Sequence, residues 1–331
     1  MITMPSRKIA DCMGATSSPR ILVLMATFNG ATWIRDQVHS IASQEDVAVT
    51  VAISDDDSSD DTLAQALAAG VEGIRFEVIR STHSGGTAAR NFFRLMEAVD
   101  AKDHDFIALA DQDDVWEPAK LARAAESLVA SEADGYSASV CAFWPDGRTA
   151  LLSQRAAPSF ADYLFEGAGQ GCTFMLRTAS FVKIQGLLSL HREQLNEIHY
   201  HDWTLYALCR VQRGHWFFDD WICMRYRQHA GNDTGARSGS TGIKRRLALI
   251  RSGWYGAQVE AIARLCASVA GGTTEAAVQY LRLVDTARSR WSGRLPLCLF
   301  VLRHGRRRWS DRLMLVWAAA CGYLTQTSRV P

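Results

Sequence analysis

One sequence feature constrains the possible fold of this chain more than any other. It is a run of five apolar residues followed directly by three closely spaced carboxylates. The run occupies residues 106–110, and Asp111, Asp113 and Asp114 follow it. An uninterrupted apolar run of this length predicts a buried strand of a parallel sheet, and open α/β sheets bind ligands at such strand ends. Carboxylates this close repel one another unless a cation neutralises them, and oxygen ligands suit Mg²⁺ or Mn²⁺. The alternative is a solvated acidic loop that caps the next helix.

The same order of apolar run, polar turn and helix occurs earlier in the chain. A continuous apolar run at residues 21–26 predicts another strand, the mainly apolar segment 47–53 repeats the pattern, and residues 74–79 predict a third; a helical pattern follows each of them. Strand and helix therefore alternate four times, which is typical of an α/β fold with a doubly wound, mainly parallel sheet. Right-handed crossovers place the ends of these strands at one edge of the sheet.

The pattern is less regular beyond residue 130. Residues 136–144 alternate like an edge strand, and residues 216–219 and 221–226 predict two separate strands. From residue 236 to 331 the composition favours a helical C-terminal region. Its apolar stretch at residues 313–324 is too short to span a bilayer, which takes about 20 residues.

A group of arginines precedes that apolar stretch, and their order is typical of a segment at an anionic membrane surface. A packed core helix or an oligomer contact is the alternative interpretation. The arginines are Arg303, Arg306, Arg307, Arg308 and Arg312.

Composition excludes several classes of protein. The 331 residues include 36 Lys and Arg against 35 Asp and Glu, so the charge gives no sign of a nucleic acid partner. The eight cysteines form no CxxC pair, and no secretory signal precedes them, which favours reduced thiols and a cytoplasmic location. Residues 1–19 lack periodicity and predict a flexible leader. The sequence contains no GxxxxGK[ST] loop, GxGxxG fingerprint or HExxH pair.

Two later segments carry groups suited to chemistry. Asp202 stands at the start of a predicted helix, where a carboxylate either favours the helix dipole or acts on a ligand. Arg227 and His229 lie in a cluster of hydrogen-bond donors that suits an anion, and a loop of solvated charges is the alternative. These residues leave two roles open: both steady a diphosphate, or His229 completes a metal shell.

Four motifs, taken in order and spacing, resemble the family 2 glycosyltransferases. They are the Thr27-Phe28-Asn29-Gly30 turn, the acidic segment 54–62, the triplet Ala89-Arg90-Asn91 and the DQDDVW motif at 111–116. With the HDW triplet at 201–203 and the YRQH segment at 226–229, they are similar to bacterial rhamnosyltransferases of surface-polysaccharide assembly. The resemblance covers about residues 20–235, so we expect a glycosyltransferase domain there and a separate helical region after it.

The resemblance implies a GT-A fold, a nucleotide-diphosphate sugar as donor, Mg²⁺ or Mn²⁺, and inversion at the anomeric carbon. The acceptor would be a glycan or a lipid-linked saccharide, and the enzyme would be cytoplasmic, peripheral at the inner face of the membrane. By the same comparison Asp202 is the catalytic base, and Asp111, Asp113 and His229 are metal candidates. The candidates for donor binding are Thr27, Asn29, Asp55, Asp56, Arg90, Asp111 and Arg227.

The chain departs from the family pattern in two places. Asp57 stands where the family usually has Gly, although Asp tolerates a positive φ better than most residues. The QxxRW motif of processive members is absent, which favours the addition of one sugar per encounter. A nucleotidyltransferase would instead need a glycine-rich loop with Arg and Lys after the first strand. A non-catalytic nucleotide-sugar-binding protein would be expected to lose Asp113 or Asp202, and both remain.

Overall fold

The computed structural model of the chain describes residues 18–69, 74–79, 86–154, 157–229 and 240–326. Most of the predicted leader, residues 1–17, lies outside these residues. The described strands form one nine-stranded mixed sheet in the order β3-β2-β1-β4-β8-β6-β9-β5, with β7 paired to β6.

The first part of the chain confirms the predicted alternation of strand and helix. β1, β2, β3 and β4 pair in parallel, and Met25 lies between Ile53 and Ala110 in register. On α1 the predicted face of Ile34, Val38 and Ile41 is buried against the sheet. The elements are β1 (Arg20–Thr27), α1 (Ile34–Ala42), β2 (Ala48–Asp55), α2 (Thr62–Ala68), β3 (Arg75–Val78), α3 (Ala88–Ala98) and β4 (Phe106–Ala110).

The sheet then continues with strands in both directions. β8 is antiparallel to β4 and to β6, β6 and β9 are parallel, and β5 is antiparallel to β9. The elements are β5 (Val115–Trp116), α4 (Lys120–Ala130), β6 (Gly135–Phe143), β7 (Thr149–Leu152), β8 (Met175–Arg177), α5 (Thr178–Leu190), α6 (Arg192–Leu195), α7 (His201–Val211) and β9 (Trp216–Arg227).

Two strand predictions were wrong. The segment predicted as an edge strand is β6, which lies inside the sheet between β8 and β9. Its alternating serines are buried rather than solvated, and Ser137 Oγ accepts a hydrogen bond of 3.0 Å from the Trp216 indole. The two strands predicted at 216–226 are the single strand β9, because the pairing with β6 shifts register near Asp219 without ending.

The C-terminal region is helical, as predicted, and it packs on the face of the sheet that carries α3, α5 and α7. Tyr255, Tyr280 and Phe300 belong to the same continuous hydrophobic core as Phe165 and Trp203. No helix within the described ranges combines the length and apolarity needed to cross a membrane. The helices are α8 (Ser240–Arg251), α9 (Trp254–Ser268), α10 (Glu275–Ser289), α11 (Arg294–His304) and α12 (Trp309–Ala320).

The stretch predicted at residues 313–324 is partly a core helix. Leu315, Ala318 and Ala319 of α12 are buried, whereas Leu313 is 59 % exposed. The sequence predicted Arg307 to belong to a basic surface group, but its side chain is buried. At least this arginine therefore belongs to the interior.

Candidate active site

The carboxyl ends of β1 and β4 are locked together by one side chain. The Phe28 N–H donates to Gln112 Oε1 at 2.8 Å, and Gln112 Nε2 donates to the Phe28 carbonyl at 2.8 Å. Gly30 permits this contact, because a Cβ there would lie 2.3 Å from Gln112 Cδ. The DQDDVW motif is therefore held against the turn that follows β1.

A buried asparagine joins the ends of β1 and β2. Asn91 Nδ2 donates to the Thr27 carbonyl at 3.2 Å and to the Ser54 carbonyl at 3.0 Å, and its Oδ1 accepts from Ser54 Oγ at 2.7 Å. The adjacent Arg90 is exposed. Since Asn91 satisfies polar groups that water does not reach, its removal would leave buried carbonyls without a donor.

The acidic segment after β2 folds on itself. Asp55 accepts from Thr27 Oγ1 at 2.7 Å and from the Ser58 N–H at 2.8 Å, and Asn29 Oδ1 accepts from the Ser59 N–H at 2.8 Å. Asn29 and Asp57 adopt left-handed conformations with φ of 47° and 65°. Asp57 therefore occupies the conformation for which the family uses glycine, and Asp is among the residues that tolerate it.

The end of β9 is fastened to the carboxylate motif through Arg227. Its N–H donates to Asp114 Oδ1 at 3.0 Å, its Nε donates to the Asp113 carbonyl at 2.8 Å, and its Nη2 pairs with Asp36 at 2.9 Å. Next to it, His229 Nε2 lies 2.7 Å from Asp113 Oδ2 while its ring stacks on Trp33. The two segments predicted to carry anion-binding and metal-binding groups are thus in contact.

Asp114 differs from its two neighbours because it is fully buried. Burial, followed by the charges of Asp113 and Asp111, raises its pKa well above the usual value. Its Oδ2 has no hydrogen-bond partner among the described residues. Ligand atoms of Asp111, Asp114 and Cys172 lie within 4.8 Å of one another. Burial also raises the pKa of the Cys172 thiol well above its usual value.

One buried cation lies beneath this motif. Lys120 is 2 % exposed, and its Nζ lies 3.3 Å from the centroid of the Trp116 ring. Burial lowers its pKa to about 8, and the nearby Asp114 opposes that shift. The sequence pattern gave no reason to single out Lys120, because a lysine at the start of a helix is usually solvated.

A cavity of about 940 Å³ opens at these strand ends and extends to the C-terminal helices. Among the described residues, six of the predicted site residues line it: Thr27, Asp56, Asp111, Asp113, Asp202 and His229. The other four, Asn29, Asp55, Arg90 and Arg227, are not part of that lining. Asp56 is oriented by an ion pair with Arg94. The fold therefore gathers the carboxylates of three distant segments around one space.

Asp202 reaches the cavity from the first turn of α7. Its Oδ1 accepts from the Trp203 N–H at 2.7 Å, which fixes one oxygen at the helix start. The loop in front of it is rich in glycine because the backbone passes close to α7. A Cβ on Gly171 would lie 3.1 Å from Asp202 Cβ, and one on Gly167 would lie 3.3 Å from Trp203 Cα.

The C-terminal region contributes a second group of cavity residues, and sequence analysis had assigned three of them, Arg306, Arg307 and Arg308, to a group at a membrane surface. We call them the arginine wall, and its members are Arg245, Arg246, Arg306, Arg307 and Arg308. Their clustering in the sequence was the available signal, but a basic run does not show which face it covers.

Comparison with family models identifies this combination of sheet, carboxylates and cavity. The model described as Glycosyl transferase family 2 matches residues 22–198, more than half of the 331 residues. The chain belongs to glycosyl transferase family 2. The rival interpretations, a nucleotidyltransferase or a non-catalytic binding protein, are not favoured by this match.

Relatives of this family 2 glycosyltransferase agree with that assignment. It is 36 % identical over 245 residues to the dTDP-rhamnosyl transferase RfbG of Shigella flexneri, covering 73 % of this chain and 84 % of RfbG. The S. aureus TarS structure 1–349 in complex with UDP-GlcNAc superposes with a TM-score of 0.56 at 15 % identity, covering 92 % of this chain and 88 % of that one. The same S. aureus protein in a second structure gives 0.54 at 15 % identity, with the same coverage. These structures confirm the predicted GT-A fold.

In this glycosyltransferase Asn91 is buried and holds the strand ends together, whereas the adjacent Arg90 is exposed at the surface. We expect Asn91→Ala to lower the free energy of unfolding by about 1–3 kcal/mol, because it leaves buried strand carbonyls unsatisfied. The exposed neighbour offers a matched control: Arg90→Ala should change it by less than about 0.5 kcal/mol. Urea denaturation followed by circular dichroism measures both. Equal midpoints for the two variants would contradict the role assigned to Asn91.

Proposed function

We propose that this glycosyltransferase moves rhamnose from dTDP-rhamnose to a hydroxyl of a glycan or lipid-linked saccharide, with inversion, in surface-polysaccharide biosynthesis. The identity with RfbG supports the donor, since that protein is a dTDP-rhamnosyl transferase. The observation that carries the proposal is the single cavity lined by Asp111 and Asp113 from the DQDDVW motif and by Asp202 from α7. This shared cavity supports a proposal in which the donor phosphates lie at Asp111 and Asp113 and the acceptor hydroxyl lies at Asp202.

Donor binding is assigned to the residues at the strand ends. Thr27, Asp56 and Asp111 line the cavity and are suited to the base and ribose. Asn29 and Asp55 act by holding the loop that shapes this part of the cavity, as their hydrogen bonds to residues 58 and 59 indicate. Donor contacts by Arg90 and Arg227 remain predictions, and the bonds of Arg227 to residues 113 and 114 favour a positioning role.

The carboxylates fit a divalent cation. Asp111 and Asp113 offer oxygen ligands at the cavity, which suits Mg²⁺ or Mn²⁺, and His229 adds a nitrogen that Mn²⁺ accepts more readily than Mg²⁺ does. Such a cation, when bound, supplies charge stabilisation to the departing diphosphate.

The remaining chemistry belongs to Asp202. The acceptor hydroxyl attacks the anomeric carbon from the face opposite the diphosphate, the C–O bond to the diphosphate breaks, and Asp202 takes the hydroxyl proton. One carboxylate oxygen is held by the Trp203 N–H, so the other is directed by the same contact.

The proposal includes a cytoplasmic enzyme at the inner face of the membrane, and the exposed apolar side chains of the C-terminal region support it. We call these side chains the apolar patch; they are Trp291, Leu295, Leu299, Trp309 and Leu313. Exposed Arg290 and Arg303 accompany it. Aromatic and aliphatic side chains with flanking arginines suit the interface of an anionic bilayer.

Metal binding is tested with Asp113→Asn. Losing a ligand should weaken Mg²⁺-dependent or Mn²⁺-dependent binding of dTDP by at least about tenfold, because even indirect metal contacts contribute that much. Calorimetric titration of dTDP with and without the metal measures the effect. Asp100→Asn, at an exposed carboxylate outside the cavity lining, is the control and should bind as wild type does. Unchanged metal-dependent binding in Asp113→Asn would reject the assignment.

The role of Asp202 is tested by separating chemistry from helix stability. Asp202→Asn keeps the shape and the bond from Trp203 but removes the basic oxygen, so transfer should fall by roughly 10²–10⁴ while dTDP binding persists. Losing a helix-start charge alone costs about 0.3–1 kcal/mol of stability. Single-turnover transfer from dTDP-rhamnose and thermal melting measure the two effects.

The matched control for Asp202 is Glu275→Gln, which removes a carboxylate from the first turn of α10. Glu275 does not line the cavity. Its variant should therefore show only the small loss of stability expected for a helix-start carboxylate and should transfer sugar at the wild-type rate. The rates are compared under conditions in which the chemical step limits turnover. If Asp202→Asn kept more than about a tenth of the wild-type rate, the loss would be too small for a general base, and the role assigned to Asp202 would be rejected.

Membrane attachment is tested by flotation with liposomes that contain phosphatidylglycerol. Replacing Trp309 and Leu313 together with serine should lower binding at least about tenfold, since each buried large side chain contributes roughly 1.5–3 kcal/mol. Leu190→Ser, which alters a leucine that is 74 % exposed at the end of α5, is the control. Absence of wild-type binding at low salt, or equal flotation of the double variant, would count against the apolar patch as an anchor.

A further inference from the structure

Three aromatic rings gather on the cavity beside the candidate base. His199 and Tyr200 directly precede α7, and Trp254 is the first residue of α9. The ring centroids lie 4.6 Å apart for His199 and Tyr200, 5.4 Å for His199 and Trp254, and 5.9 Å for Tyr200 and Trp254. All three line the cavity, as does Asp202 in the first turn of α7. We call these three side chains the ring cluster.

A buried glutamine fixes the position of the ring cluster. Gln258 follows Trp254 by one turn on α9 and is 8 % exposed. Its Oε1 accepts a hydrogen bond of 2.8 Å from the His199 N–H, and its Nε2 donates to the Glu197 carbonyl at 3.0 Å. Tyr200 and Trp254 also pack against the hydrophobic core. The rings are therefore held in place by the fold itself, which lowers the entropic cost of binding a ligand on them.

Two glutamine side chains line the same cavity, and we call them the glutamine pair. Gln154 follows β7, Gln170 belongs to the loop whose next residue packs against Asp202, and Gln154 Nε2 lies 3.5 Å from Gln170 Oε1. Gly169 makes room for this contact, since a Cβ there would lie 2.6 Å from Gln154 Nε2. Within the described ranges neither Gln154 Oε1 nor Gln170 Nε2 has a hydrogen-bond partner. The pair therefore offers both an acceptor and a donor to a bound molecule.

The ring cluster and the glutamine pair match the two surfaces of a pyranose. A sugar ring presents a face of C–H groups, which leaves water when it lies on an aromatic ring, and an edge of hydroxyls, which need hydrogen-bond partners. The five side chains include no lysine, arginine or carboxylate. The neighbouring Asp202 carboxylate repels a negatively charged sugar. An uncharged pyranose therefore fits these residues better than a uronic acid does.

We propose that the ring cluster and the glutamine pair form an acceptor subsite for an uncharged pyranose. The ring face of this sugar lies on the aromatic side chains, its hydroxyls bind the amides, and one hydroxyl faces Asp202. This inference rests on the proposed function and names the class of acceptor sugar and the residues that recognise it. The donor is assigned to residues at the strand ends, Thr27, Asp56 and Asp111, which belong to other elements of the cavity.

The test measures binding of four uncharged probes, the methyl pyranosides of glucose, galactose, rhamnose and N-acetylglucosamine. Saturation-transfer NMR titrations use the full chain, with dTDP and Mg²⁺ at saturation to fill the nucleotide site. Wild type should bind at least one probe. Trp254→Leu should bind the tightest probe at least about tenfold more weakly, as should the double variant Gln154→Leu/Gln170→Leu. Trp254→Phe keeps an aromatic face and should stay within about threefold of wild type.

The charge preference has its own probe. Methyl glucuronide carries a carboxylate and should bind wild type at least about fivefold more weakly than the tightest uncharged probe does. The affinity for dTDP-rhamnose, measured separately, should stay within about twofold in every variant. Failure of wild type to bind dTDP-rhamnose at all would count against the proposed function, whereas the inference is decided by the methyl pyranosides, so the two failures are distinguishable.

The chain offers a matched control for each kind of variant. Trp317 is a half-buried tryptophan of α12 that packs against the same hydrophobic core and does not line the cavity. Gln65 is a half-buried glutamine of α2, also outside the lining. Trp317→Leu and Gln65→Leu should bind the probes as wild type does. Thermal melting of all variants separates a local loss of binding from a loss of folding.

Four results would overturn the subsite. Wild type that binds none of the uncharged probes, or Trp254→Leu and the glutamine double variant that bind them as wild type does, would show that these residues do not hold a sugar. Equal binding of methyl glucuronide would contradict the preference for an uncharged pyranose. Parallel loss of dTDP-rhamnose affinity in the variants would assign the residues to the donor sugar. A drop in probe binding in Trp317→Leu equal to that in Trp254→Leu would assign the ring cluster to core packing alone.

Discussion

A buried carboxylate connects the sheet to the C-terminal helices, and the shape of the cavity depends on it. Asp162 is completely inaccessible to solvent and accepts hydrogen bonds from Tyr206 at 2.7 Å, Arg307 at 2.9 Å and Arg210 at 3.2 Å. A charge in this position is tolerated only while its partners stay close, because breaking a buried ion pair costs about 3–5 kcal/mol. Burial, and then the charge of Asp162, raises the pKa of Tyr206 well above its usual value, so the phenol remains a donor.

This network sets the distance between two parts of the chain that the sequence separates by about a hundred residues. Arg210 and Tyr206 belong to α7, which also carries Asp202, whereas Arg307 precedes α12. The candidate base and the arginine wall are therefore fixed to one another through the same carboxylate. The close passage of Gly167 and Gly171 along α7 completes this arrangement, since larger residues would push the loop away.

Local signals predicted much of this structure. Apolar runs identified β1 and β4, because strands buried on both faces need no polar alternation. Asp57 stands where the family usually has Gly, and its φ of 65° lies in the left-handed region that Asp tolerates better than most residues do. Five of the six predicted site residues that line the cavity end or follow parallel strands that share one edge of the sheet, and the sixth, Asp202, begins α7.

The predictions that were wrong concern residues whose environment is set by tertiary contacts. Ser137 of β6 read as part of a solvated face, yet it is buried, and Trp216 of the neighbouring strand donates a hydrogen bond to its Oγ. The sequence predicted Arg306 and Arg307 to be surface charges. Instead Arg306 donates to the Phe165 carbonyl, and Arg307 donates to the Gly167 carbonyl and the Asp162 carboxylate. In each case the partner lies at least 79 residues away, so no local pattern contains it.

The three carboxylates of the DQDDVW motif show how burial divides similar side chains among different roles. Asp111 and Asp113 line the cavity. Asp114 is not part of the lining; it accepts the Arg227 N–H, and its own N–H donates to Gln37 Oε1 at 2.9 Å. Its raised pKa favours a neutral carboxyl group, which reduces repulsion beside the other two. The motif therefore presents two carboxyl side chains to the cavity, while the third joins β9 to the sheet edge.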